Sequence, residues 1–184
     1  MSSLIDLQTY IPSIKLDILY ASTNNFTHVQ LYPVAKAYLE TDPAAALANV
    51  QKELSKAHKS LVIWDAYRPH AVTKKMWEVT PGDKKIFVAN PAHGSVHNRG
   101  CAVDVTLYDH VTSQLLEMPS EFDEFEVNAY SDFKGASVDA TNNRDFLITI
   151  MESNGFTVNP HEWWHFNWNE WKQYPVLDTP IDAL

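Results

Sequence analysis

Two short clusters hold side chains able to do chemistry together. The first runs Ser95-Val96-His97-Asn98-Arg99-Gly100-Cys101-Ala102-Val103-Asp104, and the second is Glu162-Trp163-Trp164-His165. The two imidazoles and one carboxylate of His97, Asp104 and His165 make a three-ligand set for a single zinc ion, with a fourth position left open for water. Glu162 is then left over. A carboxylate beside a metal-activated water can take its proton as the water attacks a carbonyl. The chemistry predicted is metal-assisted hydrolysis, with His97, Asp104 and His165 as ligands and Glu162 as general base.

These side chains need a scaffold. Gly100 permits a tight turn after His97. The β-branched run from Cys101 to Tyr108 then reads as a strand, with Ala102, Asp104 and Thr106 on one face and Cys101, Val103 and Val105 toward the core. Asp104 is the lone charge on an otherwise apolar strand, and a buried carboxylate needs a partner such as a metal. Upstream, Ile14, Leu16, Ile18 and Tyr20 alternate as in a half-buried strand over 14–20. Asp42 is a candidate N-cap with Pro43 at the first helical position, and Ala46, Leu47, Val50, Leu54 and Ala57 stripe a helix to about residue 58. Leu61-Val62-Ile63-Trp64 reads as a buried strand that ends in Asp65-Ala66-Tyr67-Arg68-Pro69, and a short helix follows over 70–78. A helix over 142–154 turns Phe146, Leu147, Ile150 and Met151 inward and stops at Gly155. The stretch 156–168 is aromatic and β-prone, broken at Asn159-Pro160. This mixed order predicts one α+β domain over residues 1–184, a largely antiparallel central sheet with helices packed on it.

A competing pattern overlaps the second cluster. His161-Glu162-Trp163-Trp164-His165 matches H-E-x-x-H, which binds zinc when a helix puts both histidines on one face. Pro160 and the aromatic content disfavour a long helix here, no G-x-x-H follows, and Glu170 lies too close to be the third ligand. His161 is then a neighbour of the site. Trp163 and Trp164 are expected to pack and hold His165 and Glu162 in place, and Cys101 to be a small buried apolar residue. His28, His58, His70, His93 and His110 have no partner at ligand spacing. His93 is the best of them as a substrate neighbour, though a loop histidine is the preferred reading.

Bulk properties narrow the function. The net charge of -9 over 184 residues argues against nucleic acid and against anionic lipid, since both require a basic surface. One cysteine excludes an internal disulfide. No signal-peptide pattern and no long apolar run is visible, so a cytoplasmic protein without a membrane span is expected. The sequence does not give the oligomeric state.

The two clusters together, S-x-H-x-x-G-x-A-x-D and E-x-W-H, resemble the D-alanyl-D-alanine dipeptidases, zinc peptidases of the VanX type related to the D,D-carboxypeptidases and to the hedgehog signalling domain. The resemblance continues through Tyr20-Ala21-Ser22-Thr23-Asn24-Asn25-Phe26, Asp65-Ala66-Tyr67-Arg68-Pro69 and Met118-Pro119-Ser120-Glu121-Phe122-Asp123. It implies one Zn2+ per chain on His97, Asp104 and His165, with Glu162 as base and Arg68 stabilising the oxyanion. It also implies that Asp123 holds the free amino group of a small dipeptide and that Tyr20 and Ser95 line the pocket. The reaction implied is hydrolysis of D-Ala-D-Ala or a related D-configured dipeptide. A D,D- or L,D-carboxypeptidase acting on longer cell-wall peptides, or a non-catalytic zinc-binding module on the same fold, are the alternatives. The chain departs from the family pattern in Asn128-Ala129-Tyr130-Ser131-Asp132, where a Ser-His pair is usual, and also at Ser22 and Cys101. These changes bear on the substrate pocket rather than on the metal site.

Overall fold

The computed structural model describes residues 3–184. In chain order its regular elements are β1 (Ile5–Asp6), α1 (Leu7–Tyr10), β2 (Lys15–Leu16), β3 (Tyr38–Leu39), α2 (Thr41–Lys56) and β4 (Lys59–Asp65), followed by α3 (His70–Val79) and β5 (Ala102–Asp109). The remainder are β6 (Gln114–Leu115), α4 (Val138–Ser153), β7 (Phe156–Asn159) and β8 (Glu162–Trp168). The main sheet runs β2-β4-β5-β8-β7, with β6 paired to the far end of β5, while β1 and β3 form a separate ribbon. Among the described residues only β2 runs parallel to its neighbour. The other pairings are antiparallel, so the fold is the α+β arrangement expected. No helix among the described residues is long and apolar enough to cross a membrane.

Helices α2 and α4 pack on each other and on the sheet. Leu47, Val50 and Leu54 of α2 and Leu147 and Met151 of α4 are fully buried, each contributing about 1.5–3 kcal/mol by leaving water. Loop residues pack on the sheet as well. There Tyr20 and Phe122 join Trp64, Trp163 and Trp164 in a continuous aromatic cluster. Strand β5 is buried from Ala102 to Leu107, and Asp104 is almost wholly removed from solvent that could relieve its charge. Trp163 and Trp164 are packing residues, as expected, and the Trp163 indole N–H donates to Ser120 Oγ at 2.8 Å.

Several boundaries differ from the sequence expectation. The alternation over 14–20 is real in burial, but only Lys15–Leu16 pairs as strand, and a 3-10 turn takes Leu19–Ala21. Helix α2 begins at Thr41 with Glu40 in the N-cap position, so Asp42 is not the cap. Pro43 is still tolerated, because a first-turn N–H has no intrahelical partner. Helix α4 starts at Val138, where the Ser137 side chain caps Ala140 N–H. Its inward stripe is Ala140, Leu147, Ile150 and Met151, and Phe146 is 39% exposed. One residue on a helix is about 100° of rotation, enough to move Phe146 off that stripe. The His161–His165 segment is not helical: Glu162–Trp168 is strand, and His161 lies in the turn before it.

Candidate metal centre

Cross-strand register brings the site together. In the antiparallel β5/β8 pair Asp104 lies directly opposite His165. In the β4/β5 pair Asp104 lies opposite Asp65. Directly opposed residues share a face with Cβ atoms about 5 Å apart, so these three line up across three strands. Two irregularities make this possible. An extra residue in β4 between Ile63 and Asp65 faces a single step on β5, turning Asp65 toward Asp104. On β8, the register jumps from Phe166 to Glu162 against one step on β7. In a regular strand residues three apart point to opposite faces. The bulge lets Glu162 and His165 converge, with Glu162 Oε2 4.0 Å from His165 Nδ1. His97 arrives from the 3-10 turn His97–Arg99, which Gly100 ends in the left-handed conformation. A Cβ at Gly100 would sit 2.6 Å from Leu4 and 3.2 Å from the Glu40 backbone nitrogen, so both the conformation and the space require glycine.

The three ligand atoms form a tight triangle. His97 Nε2 is 3.1 Å from His165 Nδ1 and 3.3 Å from Asp104 Oδ1, and His165 Nδ1 is 3.0 Å from Asp104 Oδ1. Tetrahedral zinc with bonds of ~2.0–2.1 Å holds its ligand atoms about 3.3 Å apart. The far side of each ring fixes its tautomer. His97 Nδ1–H donates to the Ala66 carbonyl at 2.6 Å, and His165 Nε2–H donates to Asn167 Oδ1 at 2.9 Å. Both acceptors can only accept, so each neutral ring turns its lone pair inward. Asp104 Oδ1 is buried with no hydrogen-bond partner. Three electron-rich atoms in contact with no donor among them fit a cation. Among the described residues this is the one group of three such side chains placed to hold a metal. Asn167→Ala should free the His165 ring and weaken zinc binding by about 10–100-fold, as read by competition with a chromogenic chelator.

All eight residues singled out from the sequence line one cavity of about 240 Å³: Tyr20, Arg68, Ser95, His97, Asp104, Asp123, Glu162 and His165. Arg68 is 7% exposed, not a surface ion pair. Its Nε and Nη2 donate to Asp65 Oδ2 at 2.9 and 2.7 Å, and Nη2 lies 3.8 Å from Asp104. Burial disfavours its charge, but Asp65 outweighs this and keeps it cationic. Asp123 turns in from an acidic run whose ends, Glu121 and Glu126, are exposed. Tyr20 Oη donates to its Oδ2 at 2.9 Å. Ser95 Oγ accepts from His97 N–H at 3.2 Å, bracing the turn that carries the ligand. His93 is an exposed loop histidine, and His161 lies edge-on to Tyr130, away from the ligands. Cys101 is buried, as expected of a small apolar residue, and burial pushes its thiol up to about 12.

Supporting residues escaped the sequence reading. Asp65 anchors Arg68 and accepts from Tyr32 Oη at 2.7 Å. Asn98 donates to the Arg68 carbonyl and to Thr73 Oγ1, both at 2.8 Å, tying the two site loops together. Asn159 Nδ2 donates to Glu162 Oε2 at 2.8 Å. Asn98 and Asp65 sit inside motifs already singled out, so their position was a usable signal, whereas Asn159 and Asn167 gave none.

The remaining carboxyls are poised by their surroundings. Burial pushes Glu162 up to about 8, with Asp104 and Asp123 adding to the rise and His165 opposing it. Burial, then the Asp104 charge, push Asp123 up to about 8 against its Tyr20 bond and Arg68. Both folded values exceed the unfolded ones near 4. The stability these groups confer is therefore complete below about pH 4 and lost as pH rises toward 8. Metal-free protein should show a urea midpoint that falls from pH 5 to pH 8, and Asp123→Asn should flatten part of that fall.

A converging His/Asp/His triangle, a buried carboxylate beside it and a cationic guanidinium in the same cavity define a metal-dependent hydrolase. The sequence model of the D-ala-D-ala dipeptidase family matches residues 1–180, and the chain belongs to that family of metallopeptidases. The D-alanyl-D-alanine dipeptidase of Escherichia coli (strain K12) is 34% identical over 176 residues, spanning 96% of this chain and 90% of that protein. That of Enterococcus faecalis (strain ATCC 700802 / V583) is 31% identical, spanning 95% and 91%. Among solved structures, the vancomycin resistance D,D-dipeptidase VanXYg in complex with a D-Ala-D-Ala phosphinate analog aligns with TM-score 0.46 and 18% identity, over 92% of this chain and 68% of that one.

Proposed function

We propose that the chain is a single zinc peptidase domain that hydrolyses D-Ala-D-Ala, or a closely related D-configured dipeptide, to free amino acids. The observation that carries this is the triangle of His97 Nε2, His165 Nδ1 and Asp104 Oδ1, with edges of 3.0–3.3 Å, lying 4.0 Å from a buried Glu162 carboxylate. Zinc held on these atoms supplies a Lewis acid that lowers the pKa of water to about 7 and polarises a carbonyl.

The chain's own groups then have distinct tasks. Asn159 holds one Glu162 oxygen at 2.8 Å, orienting the carboxylate. Glu162 takes the proton of the attacking water and returns it to the leaving amine. Arg68, fixed on Asp65, presents its guanidinium to the oxyanion that develops at the scissile carbonyl. Asp123, braced by Tyr20, accepts the free ammonium of the substrate, and the arriving charge favours its ionised form. A half-buried carboxylate at that point rewards a free N-terminus and penalises an acylated one, which would leave its charge with only the Tyr20 hydroxyl.

The test is a panel of dipeptides assayed with and without a chelator. Free D-Ala-D-Ala should be cleaved, and N-acetyl-D-Ala-D-Ala should lose at least about 100-fold in kcat/KM, the effect of one unmet buried polar partner. All turnover should stop with chelator and return with zinc. Equal cleavage of the acetylated peptide would instead favour a carboxypeptidase on longer chains. Zinc binding with no hydrolysis of any D-configured peptide would defeat the reading.

A further inference from the structure

The cavity wall opposite in sequence to the metal ligands is built from two segments that have no strand pairing to hold them. One is the 3-10 turn Gly82–Phe87, and the other is the loop that carries Asp123 and Phe125. Ile86, Phe87, Asp123 and Phe125 all line the cavity. Asp123 has a left-handed backbone, φ 59°, a conformation that aspartate adopts more readily than most residues and that turns its side chain into the cavity. The loop's own bonds run from Glu121 N–H and Asn128 Nδ2 to the Glu124 carboxylate. They close the loop on itself; Tyr20 Oη holds the Asp123 carboxylate, the Trp163 indole N–H holds Ser120, and Phe122 packs among Tyr20, Trp64 and Trp164, so what is left to tie is the stretch beyond Asp123.

Lys84 supplies that tie. Its Nζ donates to the Phe125 carbonyl at 2.7 Å and to Glu126 Oε1 at 2.6 Å. Among the described residues these are the only hydrogen bonds between the two segments. Beside them the Phe87 and Phe125 rings stack, 5.1 Å apart and 6° from parallel, and Phe125 packs on Phe26. The two bonds of Lys84 are unequal. Glu126 is 63% exposed and its ion pair is screened, whereas Lys84 is 31% exposed and the carbonyl it reaches lies at the half-buried base of the stack.

We infer that Lys84 is a positioning residue that sets selectivity for a free amino terminus, by fixing the loop two residues beyond Asp123. This rests on the reading of Asp123 as the amine anchor. Lys84 touches neither the metal ligands nor Glu162, so it acts on substrate placement and leaves the hydrolytic groups alone. Without the tie, the loop can draw the Asp123 carboxylate away from Tyr20, and the ammonium loses its fixed partner.

The experiment is steady-state kinetics on zinc-loaded wild type, Lys84→Met, Lys84→Arg and Glu126→Gln, with D-Ala-D-Ala and N-acetyl-D-Ala-D-Ala as substrates and zinc content measured for each. Lys84→Met should raise KM about tenfold with kcat within about twofold of wild type, the signature of a displaced binding group. Lys84→Arg should restore KM because it keeps the donor, and Glu126→Gln should behave as wild type. The inference is overturned by an unchanged KM in Lys84→Met, by a loss carried in kcat, by Lys84→Arg being as impaired as Lys84→Met, or by Glu126→Gln reproducing the defect. A wild type that cleaves free and N-acetylated dipeptides alike overturns the Asp123 reading and this one together. A discriminating wild type with an equally discriminating Lys84→Met overturns this one alone.

Discussion

Glu162→Gln should lower kcat by about 10²–10⁴-fold while zinc content stays at the wild-type level, because general-base assistance is removed and the ligand set is not. Glutamine keeps the side-chain volume and can still hydrogen-bond Asn159, so the Asn159 contact at 2.8 Å and the packing around it survive. What it cannot do is carry a proton. Burial pushes the Glu162 carboxyl up to about 8 in the absence of a cation. A dication on His165 Nδ1, 4.0 Å from Glu162 Oε2, favours the anion and brings the group down from there. The base must be ionised to work, so kcat/KM should fall as pH drops through that lowered pKa. The same acid limb should be missing from the residual rate of Glu162→Gln. Zinc by atomic absorption and kcat on one preparation decide the matter. Near-normal turnover would remove Glu162 from the mechanism, and loss of zinc with the substitution would make it a ligand.

The candidate ligands are legible in the sequence because metal binding demands specific residue types, and their spacing fits a turn followed by a strand. His97, Asp104 and His165 meet as that reading requires, and Asp104 is the unrelieved charge on a buried strand. What the sequence hid is how Glu162 and His165 share a face. Three residues apart on a strand they should diverge, and only the three-residue excess on β8 opposite β7 reconciles them. A bulge depends on register between strands, which local pattern does not encode. The same reason concealed the Asp65–Asp104–His165 row: Asp65 was visible as a residue before Arg68, but its place opposite Asp104 comes from an irregularity in β4. Helix ends were misplaced by tertiary context. Glu40, whose backbone nitrogen donates to Gly100 O at 2.8 Å, starts α2 two residues before the Asp-Pro signal. Phe146 lies outside the buried face, which passes through Ala140, Leu147, Ile150 and Met151.

Removing the metal should abolish activity and also destabilise the fold, because the ligand triangle is assembled at the centre of the sheet. An ion that binds only the folded chain adds about 4 kcal/mol when its free concentration exceeds Kd a thousandfold. For a chain of 184 residues that corresponds to roughly 8–16 °C in Tm, at about 2–4 °C per kcal/mol. Chelation should therefore lower Tm by an amount of that order, and zinc should restore it. Asp104→Ala separates the metal effect from mere loss of a side chain. It removes the Oδ1 atom that lacks any hydrogen-bond partner, so the metal-free variant escapes the ~1–3 kcal/mol penalty of a buried unmet acceptor. Arg68 keeps its two bonds to Asp65 at 2.9 and 2.7 Å, so the guanidinium remains paired. The variant should be inactive, should show no rise in Tm with zinc, and should melt within a few degrees of chelated wild type. A full zinc-dependent rise in Asp104→Ala would mean that the ion which stabilises the chain is bound elsewhere, and the three-residue centre would lose its main support.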